Sequence, residues 1–142
     1  MTIVRFFAAG TPVPQGSMRA FTNRATGRPI LTSTSGAALK GWRDAIGFAA
    51  MTHCSSLING PVTVDLVFYL PRPKSRPKRD RWPDRKPDID KLARAALDAL
   101  TGVVLHDDAQ VVNLGVTKRY ALPDGQTGVD VQVVSAQTEA VP

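Results

Sequence analysis

The strongest constraint on the fold is the alternation in residues 62–70, VTVDLVFYL. Its apolar members at every second position are Val62, Val64, Leu66, Phe68 and Leu70. This period of two places them on one face of an extended strand. Such a strand needs neighbouring strands and a layer packed against its apolar face. The sequence therefore predicts a sheet with a core on one side.

Three other segments have the composition of strands. Residues 2–9 (TIVRFFAA), 110–121 and 128–134 are rich in β-branched or aromatic side chains. Because a short turn at 122–125 joins the last two, we expect them to pair as a hairpin. The glycine- and proline-punctuated stretch 10–36 predicts a loop.

Two segments have helical periodicity. The first extends to about Met51, and its apolar stripe is Leu39, Trp42, Ile46 and Ala49. The second begins at Asp88, whose carboxylate is expected to cap the helix by accepting backbone N–H groups. Gly102 is expected to end it. The stripe of the second helix is Ile89, Ala93, Ala96, Leu97 and Leu100.

The order β–α–β–α–β–β predicts one α+β domain over residues 1–142, in which two helices pack on a small, mostly antiparallel or mixed sheet. Within it, residues 71–87 contain five prolines and few apolar side chains, which predicts a basic, mobile arm. The tail from about 137 to 142 is expected to be frayed.

Positive charge is concentrated around this arm. The chain has a net charge of +6, and residues 72–94 account for all of it with ten Lys or Arg and four Asp. Such a concentration attracts phosphate polyanions, although a solvated basic loop is the alternative interpretation. The candidate DNA-binding residues are Arg72, Lys74, Arg76, Lys78, Arg79, Arg81, Arg85, Lys86 and Lys91.

Cysteine content and hydropathy limit the cellular compartments in which the chain is expected. Cys54 is the single cysteine, which excludes an internal disulfide and fits a reducing cytoplasm. Apolar runs stay well below the roughly 20 residues that cross a bilayer, so we expect no membrane partner. Arg5 interrupts the first apolar stretch, which makes it a poor signal peptide.

Four aspartates lie beside the basic stretch. Asp88 and Asp90 open the second helix, and Asp107 and Asp108 precede a strand. Separately, they are ordinary cap and turn residues. Together they would repel phosphate unless a cation intervened, and Mg²⁺ takes oxygen ligands and polarises a scissile phosphate. These residue types favour a metal-dependent nuclease, and a DNA-binding protein without catalysis is the alternative.

The segment PDIDKLARAALDALTGVVLHDDAQVVNLGVTKRY, within residues 86–120, resembles the signature of RusA-type Holliday junction resolvases, many of them phage-borne. The family's pattern is D-x-D-N-L-x-K-A-x-x-D-A-L followed by D-D-x-Q-V. GTPVPQG near the N-terminus is similar, more weakly, to the phage forms. The resemblance implies a homodimer that uses Mg²⁺, or Mn²⁺ in its place, to nick four-way DNA junctions symmetrically in recombination and repair.

The resemblance also implies which residues form the site. The metal-binding acids fall on Asp88, Asp90 and Asp108, with Asp107 adjacent in the same motif. Asp98 matches a further acid of the motif, and we expect it to be structural or to support the metal ligands, and not to be a ligand itself. Another branched nucleic acid, such as a flap or RNA, stays open as the substrate, because phosphate contacts carry little substrate information.

Two positions depart from the family's pattern. Lys91 stands where the pattern has asparagine, and Arg94 stands where it has its catalytic lysine. A guanidinium holds its proton too tightly to act as an acid, so Arg94 is expected to stabilise charge. The predicted catalytic set is Asp88, Asp90, Asp108 and Arg94.

Overall fold

The computed structural model describes residues 2–16, 18–22, 24–33 and 36–136. Its strands are β1 (Ile3–Ala9), β2 (Met18–Thr22), β3 (Pro29–Ser33), β4 (Val62–Leu70), β5 (Val111–Tyr120) and β6 (Gly128–Ser135). Its helices are α1 (Gly36–Met51) and α2 (Ile89–Leu100), with a short 3₁₀ turn at Asp108–Gln110. These elements confirm the α+β class; the tail from 137 lies outside the described residues.

The main sheet is mixed, with the strand order β1-β6-β4-β5. β4 runs antiparallel to β6 and parallel to β5, the parallel step being made through α2. The expected β5–β6 hairpin is wrong, because β4 lies between these strands. β4, whose alternating residues are buried, takes the position between them and pairs with β5 on one edge and with β6 on the other.

The stretch 10–36 also differs from expectation. It contains a second sheet, in which β2 and β3 pair antiparallel from Met18↔Ser33 to Thr22↔Pro29. The turn between them includes Gly27 at φ +70°, a conformation that glycine adopts without strain. These strands are only five residues long, β3 begins at Pro29, and Gly16 and Gly27 lie in the flanking segments, so the sequence pattern indicated a loop.

The core lies on one face of the main sheet, under both helices. The alternating residues of β4 are buried as predicted, and so are Leu39, Trp42 and Ile46 of α1. The buried face of α2 is centred on Leu92, Ala96 and Leu100, so the expected stripe is displaced by part of a turn. Ile89, at 40% exposure, therefore faces out of the core. No helix among the described residues is long and apolar enough to span a membrane.

The candidate acids lie near the two ends of α2. Asp88 occupies the N-cap position with φ −69° and ψ 137°, as predicted. The predicted capping hydrogen bond is wrong: among the described residues the Asp88 carboxylate binds a lysine instead. At the other end, Gly102 has φ +88°, which turns the chain towards the aspartates at 107 and 108.

Gly128, at the start of β6, occupies a position with no space for a side chain. Its φ is +155°, and a Cβ there would meet the Ala8 carbonyl and the Phe7 ring. We expect Gly128→Ala to lower the free energy of unfolding by about 2–3 kcal/mol, measured by urea denaturation. Gly41→Ala, in a helical position with open space around it, should instead leave stability unchanged or raise it by up to about 1 kcal/mol. Equal stability of Gly128→Ala and the unsubstituted protein would contradict this reading of the β1–β6 contact.

Candidate metal centre and nucleic-acid interface

An acidic pocket of about 620 Å³ opens between α2 and β5. Its charged lining residues are Asp90, Arg94, Asp98 and Asp108. The first three lie four residues apart along α2, a spacing that puts them on one helical face. Apolar side chains complete the walls, namely Ile89, Ala93, Leu97, Leu114 and Val116. The face of α2 that is turned away from the core thus forms one wall of the acidic pocket.

The turn before β5 supplies the fourth charged side chain. Asp107 Oδ1 accepts a hydrogen bond from the Ala109 N–H at 2.9 Å, and Gln110 Oε1 accepts from the Asp107 N–H at 3.1 Å. Gln110 Nε2 also donates to the carbonyls of Ile58 and Gly60, each at 2.8 Å. Asp107 therefore shapes the turn, while Asp108 lines the pocket.

Asp108 lies in an unfavourable environment for a carboxylate. Its pKa is raised, first by a hydrogen bond with the Asp107 side chain, then by burial, and then by the negative charges of Asp107 and Asp98. Arg94 opposes this rise in the pKa of Asp108. The pocket thus concentrates negative charge that one guanidinium only partly balances.

Asp88 is placed apart from this pocket. Lys86 Nζ lies 2.9 Å and 3.0 Å from the two Asp88 carboxylate oxygens, and Lys91 Nζ lies 3.6 Å from Oδ2. The pKa of Asp88 is lowered, mainly by the hydrogen bond from Lys86. Of the predicted metal-binding acids, the structure therefore brings Asp90 and Asp108 into one pocket and directs Asp88 to lysines.

Asp98 also lies in the acidic pocket. Its expected role is structural or in support of the metal ligands, and it lines the acidic pocket with Asp90 and Asp108. Its spacing from Asp90 through Arg94, at i, i+4 and i+8, is the sequence signal for a shared face. Within the described ranges, no three His, Cys, Asp or Glu side chains are arranged so that they could hold a metal ion by themselves.

Residues 71–87, here called the basic loop, are organised around Arg76. The Arg76 side chain is only 9% exposed, and its Nη2 donates to Asp84 Oδ1 at 2.8 Å and to the Trp82 carbonyl at 3.4 Å. Arg76 Nε lies 3.8 Å from Asp80 Oδ2. Among the predicted DNA-binding residues, Arg76 is thus engaged inside the loop.

The other cations of the loop differ in their surroundings. Arg72 is half-buried, with its guanidinium carbon 4.4 Å from the centre of the Tyr120 ring. Lys86 is exposed but paired with Asp88. The remaining loop cations are exposed, and they are Lys74, Lys78, Arg79, Arg81 and Arg85. The loop therefore presents a row of accessible positive charges.

Three contacts join the basic loop and residues 10–16, here called the N-terminal loop, to the elements that carry the acids. Lys118 Nζ of β5 donates to the carbonyls of Arg85 and Pro87, each at 2.9 Å. The Gln15 N–H, in the GTPVPQG segment, donates to the Lys91 carbonyl of α2 at 2.9 Å. Both loops therefore border the start of α2, where Asp88 and Asp90 lie.

Comparison with known proteins assigns the family. The family model described as "Endodeoxyribonuclease RusA" matches residues 9–134, which is most of the chain. The uncharacterized protein YqaN of Bacillus subtilis (strain 168) is 31% identical over 132 residues, covering 85% of this chain and 90% of that protein. Membership implies a DNA-cleaving enzyme that acts on branched junctions. The chain belongs to the RusA family of endodeoxyribonucleases.

Proposed function

We propose that this protein is a Mg²⁺-dependent resolvase that cuts four-way DNA junctions by paired, symmetric nicks during recombination and repair. The observation that carries the proposal is the acidic pocket, which Asp90 and Asp108 line together. The basic loop leads into the helix that carries Asp90 and is tied to β5 by Lys118. This pairing of carboxylates and cations is the arrangement that phosphodiester cleavage needs. The cations of the basic loop would bind the phosphate backbone, and a metal ion in the acidic pocket would let the carboxylates approach it.

The donor set of the acidic pocket fits Mg²⁺. This ion is typically held by one or two carboxylates and the substrate phosphate, and it keeps several waters. Asp90 and Asp108 supply the two carboxylates, and Asp98, on the same face of α2, adds negative charge to the pocket. When bound, Mg²⁺ would polarise the scissile phosphate and lower the pKa of a coordinated water. Mn²⁺, which accepts the same oxygen ligands, is expected to substitute.

The other candidate acids take different parts. Asp107 holds the turn that presents Asp108, so its effect on the metal is through position. Asp88 reaches the metal only if its carboxylate leaves Lys86 and Lys91, as a nearby divalent ion would favour. Asp88 is thus a conditional ligand.

Arg94 stabilises charge on the reacting phosphate. It lies on α2 between Asp90 and Asp98 and lines the same pocket. Its guanidinium stays protonated at all working pH values, so it can donate hydrogen bonds to phosphate oxygens but cannot supply a proton to the leaving group. The candidates for proton donation are the ammonium groups of Lys86 and Lys91, which contact Asp88 at the start of α2.

The basic loop would guide DNA to the pocket. Its exposed Lys and Arg side chains can replace the counterions of a phosphate backbone, which supplies affinity without reading sequence. Trp82, 59% exposed on the same loop, can stack on an unpaired base. A homodimer would present two such surfaces across a two-fold axis, as paired nicks in a four-way junction require.

Cleavage of three labelled substrates tests this proposal. We expect the protein to cut a four-way junction at symmetric positions with Mg²⁺, and to leave matched duplex and flap DNA largely intact. Chelation of the metal should stop cleavage. Equal cutting of all three substrates would contradict junction resolution and favour a broader nuclease. Binding without cutting, in Mg²⁺ and in Mn²⁺, would favour a DNA-binding protein without catalysis.

A further inference from the structure

A second cavity, of about 310 Å³, is lined in part by the basic loop and shares no lining residue with the acidic pocket. We call it the proline pocket, because its walls are mainly Pro12, Pro71, Pro73, Pro83, Pro87 and Tyr120. It is formed where the end of β4, the end of β5, the N-terminal loop and the basic loop meet. Its volume is at the small end of the range for ligand sites.

The lining of the proline pocket suits a flat ring with polar edges. The Tyr120 ring, one face of which is covered by the Arg72 guanidinium, is aromatic and of the kind on which nucleobases stack. The proline rings add apolar contact area around it. The hydroxyls of Thr11 and Ser75 can each donate or accept a hydrogen bond at the edge of such a ring. Arg85 and Lys86 also line the pocket and are exposed, so they can meet an attached phosphate.

The walls of the proline pocket are held in place before any ligand binds. Arg76, 9% exposed, lines the pocket and fixes the loop through Asp84 and the Trp82 carbonyl. Lys118 ties the carbonyls of Arg85 and Pro87 to β5. A site that needs little ordering loses less affinity to entropy when a ligand enters.

The position and charge of the cavity indicate the ligand. Lys86 and Pro87, which line it, directly precede Asp88 at the start of α2. Residues 71–87 contain eight Lys or Arg and two Asp, which favours an anionic strand over a neutral peptide. We propose that the proline pocket holds one unstacked nucleobase of a branched DNA while the adjoining backbone lies near the acidic pocket. This inference rests on the proposed function and extends it.

A comparison of two DNA probes tests the pocket without cleavage. One is a four-way junction with a single unpaired thymine at the branch point of each arm; the other has abasic sites at the same positions. Affinities are measured in EDTA with the full chain. We expect the unsubstituted protein to bind the thymine probe about 5- to 100-fold more tightly. Equal affinity for the two probes would overturn the inference.

Filling the pocket should remove this preference. Ser75 is exposed and lines the cavity, so Ser75→Trp places a ring in it without changing charge. We expect the substituted protein to bind both probes with the affinity that the unsubstituted protein has for the abasic one. Gln126→Trp, on the exposed turn between β5 and β6, is the matched control and should retain the preference. Retention of the preference by Ser75→Trp would refute the site.

Two features keep the test decisive. Circular dichroism establishes that Ser75→Trp is folded; if it is not, Tyr120→Leu removes the aromatic wall with a similar volume and should reduce the preference. The binding assay is also independent of chemistry. A base preference in a protein that never cuts DNA would support the pocket and reject the nuclease, whereas junction cleavage without a base preference would do the reverse.

Discussion

Asp90→Asn is expected to reduce Mg²⁺-dependent junction cleavage by at least about 100-fold while leaving junction binding intact. Asp90 lines the acidic pocket with Asp108. The substitution replaces one of the two carboxylates that would hold the cation by a neutral amide. Binding should be equal or slightly tighter in EDTA, because a negative charge near the phosphates is removed. Single-turnover cleavage and equilibrium binding on the same labelled junction measure the two effects separately.

Two substitutions control this prediction. Asp124→Asn makes the same chemical change on the exposed turn before β6, and we expect cleavage at the rate of the unsubstituted protein. Asp98→Asn makes it on the pocket-lining face of α2 and should give an intermediate loss. An Asp90→Asn protein that cleaves normally would contradict a catalytic role for the acidic pocket.

The basic loop carries the second large effect. Lys78, Arg79 and Arg81 are exposed, and we expect their combined replacement by alanine to weaken junction binding about 10- to 100-fold near 0.1 M salt. Each phosphate contact contributes about 0.9 to the slope of log K against log salt. The slope should therefore fall by about 2 to 3. Fluorescence anisotropy titrations across a salt series measure both quantities.

A triple substitution that removes the same charge elsewhere distinguishes the contribution of the basic loop to DNA affinity from that of the net charge. Arg5 lies on β1, and Lys40 and Arg43 lie on α1, so their replacement by alanine removes the same charge outside the loop. We expect a much smaller change in affinity and slope. Equal weakening by the two triple substitutions would mean that the chain's overall charge, and not the basic loop, directs DNA binding.

Local patterns in the sequence predict most of the main sheet and both helices. The bounds of β4 agree with the alternation of 62–70. α2 begins and ends beside Asp88 and Gly102 as predicted, although the Asp88 carboxylate makes no capping hydrogen bond. The pairing of strands was harder to predict, because it is decided by contacts distant in the chain. Turn length predicted a β5–β6 hairpin, but each of these strands pairs with β4.

The same distinction applies to the site. Motif and charge identify Asp90 and Asp108 as candidates, but only the packing of α2 against β5 shows that they line one pocket. Asp88 belongs to the same motif, yet its position is set by the side chains of Lys86 and Lys91, whose rotamers no sequence pattern determines. Arg76, counted with the DNA-binding cations, is instead buried inside the loop because three groups of the loop surround its guanidinium.

The central claim is that one divalent ion joins carboxylates from α2 and from the turn before β5. Its most direct test is an anomalous difference map from crystals of the full chain soaked with Mn²⁺. We predict a peak in the acidic pocket, within about 2–2.5 Å of carboxylate oxygens of both Asp90 and Asp108. An empty pocket at Mn²⁺ concentrations that support cleavage, or a peak bound by neither residue, would contradict the account.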